Sequence, residues 1–287
     1  MKFSFKIIFI ISIMFINSAC TSLGLFALNT IARQKNHYQS FTDINYASLE
    51  RQALDIYQPK NNSQKADVVI FIHGGNWDFG SKDDYVFIGE ALSSRGYVAV
   101  VPNYRLYPEV KFPEFVNDAA QVLSWVKSNI KQYGGNVDRV FLMGHSAGAH
   151  IAAMLALDER FIKSVGLKKR SIKGLIGLAG PYDFLPFTKD KFKIIFGPPE
   201  NYHLSQPINF VDGNEAPFLL LYGKKDTTVY PKNIISLSNK INEKGGVVKV
   251  IYYEKLNHTG IISRLSIPLR KNAKILDDIV AFTKGVK

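Results

Sequence analysis

Gly144-His145-Ser146-Ala147-Gly148 stands between two segments of opposite habit. Arg139-Val140-Phe141-Leu142-Met143 before it is a short apolar run of strand length. Ala149-His150-Ile151-Ala152-Ala153-Met154-Leu155 after it is rich in good helix formers. Glycines two residues to either side of a serine leave room for a sharp strained turn. The pattern therefore predicts a nucleophile elbow, with the Ser146 hydroxyl raised above the end of a strand where a helix begins. The pentapeptide alone is weak, because short glycine–serine runs arise by chance. Its place between a strand and a helix gives it weight, and so would partners elsewhere in the chain.

Reading outward, strands and helices alternate. Ile44-Asn45-Tyr46 and Ala53-Leu54-Asp55-Ile56-Tyr57 read as a first hairpin. Val68-Val69-Ile70-Phe71-Ile72 is β-branched and wholly apolar, as expected of a strand buried on both faces of a parallel sheet. Ser81 caps a helix with Tyr85, Ile88 and Leu92 on one face, and Gly96 ends it. Strand Tyr97–Val101 follows, then a helix opened by Pro113. After the elbow come strands at Gly174–Leu178, Phe218–Tyr222 and Val247–Tyr253, with helices marked by Ile234, Leu237 and Ile241 and by Ile275, Ile279 and Phe282. Repeated strand–helix units predict an α/β fold, a mostly parallel central sheet with helices on both faces. Reactive groups then belong on loops at the carboxyl ends of the strands. Residues 181–215 break the alternation and are expected to form a small lid-like insertion or pocket wall.

The 287 residues, 46% hydrophobic, suit one domain over residues 44–287, with no linker or repeat to divide it. Lys2 and Lys6, the apolar Ile7–Ile16 and the small residues ending at Cys20 read as an export signal over residues 1–19. Its apolar core is too short to span a bilayer. Cys20 is the sole cysteine, so a mature chain would carry no internal disulfide. A lone cysteine at that point resembles a bacterial lipoprotein signal, though Asn17 stands where such signals carry leucine. The resemblance implies lipid attachment at Cys20, a tether over residues 20–43, and an exported protein held at the membrane surface of a bacterial envelope. A net charge of +12 comes with scattered lysines and no recognition motif, so nucleic acid is not an expected partner. Neither H-E-x-x-H nor paired cysteines occur, and no metal or other cofactor is expected. Oligomeric state leaves no trace in the sequence.

A serine nucleophile needs a base and a group to hold that base. Of six histidines, His37 lies in the tether, His73 at a loop, His145 and His150 beside the serine, and His203 in the insertion. His258 follows the last strand, where a loop can carry an imidazole over the elbow, and is the expected base. The acid belongs between serine and histidine in chain order. Asp226, directly after strand Phe218–Tyr222, is the first choice, and Asp183 after the preceding strand is its rival. His73-Gly74-Gly75-Asn76-Trp77 follows strand Val68–Ile72, where glycines let backbone N–H groups approach a substrate oxygen. The N–H of Ala147 is expected to point into the same space.

Together with Asn103-Tyr104-Arg105-Leu106, Pro108, Phe112-Pro113 and Tyr133-Gly134-Gly135, these stretches resemble an α/β-hydrolase of the carboxylesterase type from about Asn45 onward. The chain is similar to the group with an H-G-G-x-W loop, which includes hormone-sensitive-lipase-like esterases, arylformamidases and prenylcysteine methylesterases. That resemblance implies Ser146, Asp226 and His258 as a catalytic triad, with Gly74, Gly75 and Ala147 lining the oxyanion hole. Asn76 departs from the lipase-like pattern, which commonly has a third glycine there. Trp77 is a candidate wall of the substrate pocket. The expected function is a serine esterase acting on small carboxylic esters through an acyl-enzyme. Amide or arylformamide hydrolysis on the same triad is the second reading, and a catalytically silent anchored binding protein the third.

Overall fold

A single eight-stranded sheet carries the chain, in the order β1-β2-β4-β3-β5-β6-β7-β8. The strands are β1 (Tyr38–Asn45), β2 (Ala53–Pro59), β3 (Ala66–Ile72), β4 (Val98–Pro102), β5 (Gly135–His145), β6 (Gly174–Leu178), β7 (Phe218–Gly223) and β8 (Val248–Tyr253). β1 and β2 are antiparallel to each other, β2 is antiparallel to β4, and the rest run parallel. The structure, a computed structural model, describes residues 23–60 and 65–286. The expected signal and Cys20 lie outside the described residues.

Helices cover both faces. On one lie α3 (Glu114–Asn129), α4 (Ala147–Leu157), α5 (Glu159–Ser164) and α7 (Lys232–Glu243), together with the insertion. On the other lie α1 (residues 23–33), α2 (Val86–Ser93), α8 (His258–Ser263) and α9 (Ile275–Gly285). The period-2 geometry of β3 divides its side chains between the two layers. Val68, Ile70 and Ile72 join the first core, and Val69 and Phe71 the second. The expected mostly parallel sheet with helices on both faces is what the chain forms.

Two departures fall at the amino end. Residues expected in a tether are structured, for α1 covers 23–33 and β1 begins at Tyr38 rather than near Ile44. The physical reason is that β1 is an edge strand. Five of its eight residues are exposed and a register shift between Phe41 and Ile44 breaks its period, so it reads as polar. α1 is tied on by Asn29, whose amide donates to the Asp83 carbonyl and accepts from the Phe87 N–H, both at 3.1 Å.

The insertion between β6 and β7 contains α6 (Asp190–Phe196) and two 3-10 turns, Pro199–Ser205 and Pro207–Phe210. It is fastened at its root. Asn233 Oδ1 on α7 accepts the N–H groups of Tyr182 and Asp183 at 2.8 and 2.9 Å, and Gln206 Oε1 accepts that of Phe184 at 2.8 Å.

The elbow glycines are sterically obligatory. A Cβ on Gly148 would drive into the carbonyl oxygens of Ile72 and His73, and one on Gly144 into the Gly148 backbone. We expect Gly148→Ala to cost at least about 1–3 kcal/mol, the usual toll of overpacking. Gly285→Ala, where a Cβ would meet nothing, should be neutral or gain up to about 1 kcal/mol of helix propensity. Urea unfolding of the two variants checks the contrast.

Candidate active site

Ser146 follows the last residue of β5 and precedes the first of α4, at φ 55° and ψ −122°. A non-glycine residue there costs about 1–3 kcal/mol. That is no more than burial of one large core side chain supplies, so the surrounding packing can hold it. The Ser146 N–H donates to the Leu178 carbonyl at 2.9 Å, tying the turn to the end of β6.

His258 opens α8, capped by Asn257, whose side chain accepts the Gly260 N–H at 2.8 Å. Its Nε2 lies 2.9 Å from Ser146 Oγ, and its Nδ1 lies 2.7 Å from Asp226 Oδ2. The other Asp226 oxygen accepts the N–H groups of Thr228 and Val229 at 2.7 and 3.0 Å. Burial works against the Asp226 carboxylate, but His258 and those two amides outweigh it and hold the carboxyl below its usual range. The approach of acid and base is set by backbone. The Lys225 N–H donates to the Leu256 carbonyl at 2.9 Å, and Gly223 packs against that same carbonyl. Asp183, the rival acid, is not on His258. It stands in the cleft wall with its carboxylate 3.5 Å from Lys232 Nζ.

The loop after β3 lies against the elbow, since a Cβ on Gly74 would sit 3.2 Å from that of Ser146. Gly75 turns at φ 123°, and Asn76 and Trp77 follow at φ 50° and 62°. Ala147 is the first residue of α4, so its N–H has no acceptor within the helix. A cleft of about 570 Å³ opens over Ser146, walled by Asn76, Trp77, Phe184, Phe187, Phe192 and Tyr230 among others. Asn76, the departure from the lipase-like pattern, is itself at positive φ and walls the cleft. Its signal was available, because asparagine is among the few side chains that settle at positive φ.

Four buried groups brace this arrangement. His145 Nε2–H donates to the His258 carbonyl at 3.0 Å. His150 accepts the Trp77 Nε1–H on Nδ1 at 3.2 Å and donates from Nε2 to the Ser205 carbonyl at 2.8 Å. That imidazole on α4 thus joins the loop after β3 to the insertion, and it must be the neutral Nε2–H tautomer to do both. His73 is sandwiched between Tyr104 and Tyr85, with ring centroids 4.4 and 5.9 Å away. The Tyr104 hydroxyl donates to the His73 carbonyl at 3.1 Å. Trp77 is therefore both a cleft wall and a buried strut, stacked on Phe184 at 5.8 Å. Arg105, in the Asn103–Leu106 stretch, is a strut too, donating to both oxygens of the buried Asp118. Among the described residues no cluster of three or more His, Cys, Asp or Glu could hold a metal ion. Nor is any described helix long and apolar enough to cross a membrane.

Known proteins resemble this chain in sequence and in fold. The BD-FAE family model matches residues 54–241. A probable isoprenylcysteine alpha-carbonyl methylesterase of Arabidopsis thaliana is 31% identical across 84% of this chain and 55% of its own. Kynurenine formamidase of Danio rerio is 36% identical across 54% of this chain and 50% of its own. The chain thus spans about half the length of these curated relatives. Among solved structures, a phosphonate-inhibited esterase B from Lactobacillus rhamnosis superposes with a TM-score of 0.78 at 19% identity, covering 96% of this chain and 94% of that one. At that identity the likeness speaks for the fold.

Burial depresses the proton affinity of three histidines around the elbow, His73 and His150 to about 4 and His145 to about 3. In the unfolded chain each would take a proton near pH 6.5. Below that pH the unfolded state therefore binds protons that the native state refuses, and stability falls as pH falls. Each histidine contributes up to about 1.4 kcal/mol per pH unit. The Asp226 contribution is lost only below its unfolded value near 3.9, outside this window. Urea unfolding at pH 7, 6 and 5 should show a slope approaching three protons, and constant stability across that range would contradict it.

Proposed function

The chain belongs to the BD-FAE family, and on that premise we propose that it is a serine hydrolase of small carboxylic esters. The observation that carries the reading is the continuous hydrogen-bonded line from Ser146 through His258 to Asp226, at the floor of a cleft with aromatic walls. His258 Nε2 takes the Ser146 proton as Oγ attacks the ester carbonyl carbon. Asp226 keeps the imidazole in its Nδ1–H tautomer and, remaining ionised, stabilises the imidazolium. The developing oxyanion is held by the Ala147 N–H with amides of the loop at Gly74, Gly75 and Asn76. The imidazolium then protonates the departing alcohol. Water, activated by the same nitrogen, releases the acyl group and restores Ser146.

Amide hydrolysis on the same residues is the second reading, favoured by the similarity to a kynurenine formamidase. Both are tested on p-nitrophenyl esters of increasing acyl length beside N-formylkynurenine. Ester turnover should dominate. Ser146→Ala should remove it, and Asp226→Asn should lower kcat about 10⁴-fold, as expected when the wrong histidine tautomer is left. Faster turnover of N-formylkynurenine than of any ester would select the second reading. Full ester activity in Ser146→Ala would refute both.

We further propose, from the lipoprotein-like signal alone, that the protein is lipid-anchored at Cys20. Mass spectrometry of the envelope fraction should find a lipidated N-terminus at Cys20 that Cys20→Ser loses. An intact Met1 in the wild type would overturn the anchor.

A further inference from the structure

We propose that Phe196 is the specificity-determining partition that closes the acyl end of the cleft and confines the enzyme to short acyl chains. This inference rests on the esterase reading above.

Phe196 is the last residue of α6 and is wholly buried. On one side it meets three rings that wall the Ser146 cleft. Its centroid lies 4.8 Å from Trp77, 5.2 Å from Phe187 and 5.5 Å from Phe184. On its other side is a second, mainly apolar cavity of about 380 Å³, which Phe196 lines together with Phe112, Phe161 and Leu204. Phe112 stands 5.8 Å from it. The cleft wall of Trp77, Phe184 and Phe187 is thus backed by Phe196, with 570 Å³ open to the serine on the near side and 380 Å³ beyond Phe196.

The partition is held in register from two directions. The Phe112 N–H donates to the Ile195 carbonyl at 3.0 Å, fixing the end of α6 against the loop before α3. Trp77, whose indole N–H is tied to His150, presses edge-on against the Phe196 ring, at an interplanar angle of 85°. A buried aromatic in an interior packed at crystal density does not step aside for a methylene chain. Chains that reach past Phe187 therefore meet a wall, with usable apolar space behind it.

The test compares kcat/KM for p-nitrophenyl esters from acetate to dodecanoate in the wild type, Phe196→Ala and Phe196→Leu. The wild type should favour acyl chains of about two to four carbons. Phe196→Ala should raise the ratio of octanoate to acetate turnover about tenfold or more, since two newly buried methylenes suffice for that factor. Phe196→Leu should show the same trend more weakly, and it decides the matter if the alanine variant fails to fold. Adding Leu204→Trp to the open variant refills the second cavity and should reverse the gain, which mere loosening of the fold would not do. An unchanged chain-length profile in folded Phe196→Leu would overturn the partition. So would a Phe196→Ala gain that survives Leu204→Trp. Absence of ester turnover in the wild type would instead refute the esterase reading.

Discussion

The approach of the α4 backbone to the end of β3 is the contact on which the site depends. Gly148 lies so close to the carbonyls of Ile72 and His73 that no side chain fits between. That closeness brings the Ser146 turn and the loop at Gly74–Trp77 into one space, although they lie far apart in the sequence. Beside it Ser146 turns at φ 55°, with its hydroxyl 2.9 Å from His258 Nε2. Proximity, hydroxyl direction and the glycine pattern are one constraint seen from three sides.

Around that contact the protein invests buried polar groups rather than more hydrocarbon. Three neutral imidazoles and the Tyr104 hydroxyl bind backbone carbonyls in the interior, where hydrogen bonds offset the cost of burying polar atoms. Two of the imidazoles cross from one element to another: His145 reaches the α8 turn, and His150 reaches both the β3 loop and the insertion. The site is therefore preorganised by directional bonds, as the proposed acyl transfer would require. Aromatic packing supplies the shape of the cleft, and histidine hydrogen bonds supply its register.

The sequence made the centre of this arrangement legible and the margins not. Val68–Ile72, Phe218–Tyr222 and the run before Gly144 are buried on both faces, so their continuous apolarity could mean little else. β1 lies at the edge and half in water, and its polar residues 38–43 read as a tether. Asp226 and Asp183 both follow strands and both precede His258, so chain order alone admitted either. Only the pairing of the 223–226 turn with the 253–257 turn puts one of them on the imidazole. Trp77 was legible as an aromatic at the mouth of the loop. Its second task needed the spatial neighbour His150, just past a motif that seemed to explain itself. The insertion was recognisable as an interruption, but the wall it builds from Phe184, Phe187 and Phe192, backed by Phe196, depends on contacts no periodicity reports.

The central claim is that Ser146 is a nucleophile activated by its position on this contact. Intact-mass and peptide analysis after brief exposure to a fluorophosphonate ester tests it without assuming any natural substrate. One stoichiometric adduct is expected, on the peptide carrying Ser146, formed much more slowly in His258→Ala. Modification of some other residue, or equal labelling of Ser146→Ala, would contradict it.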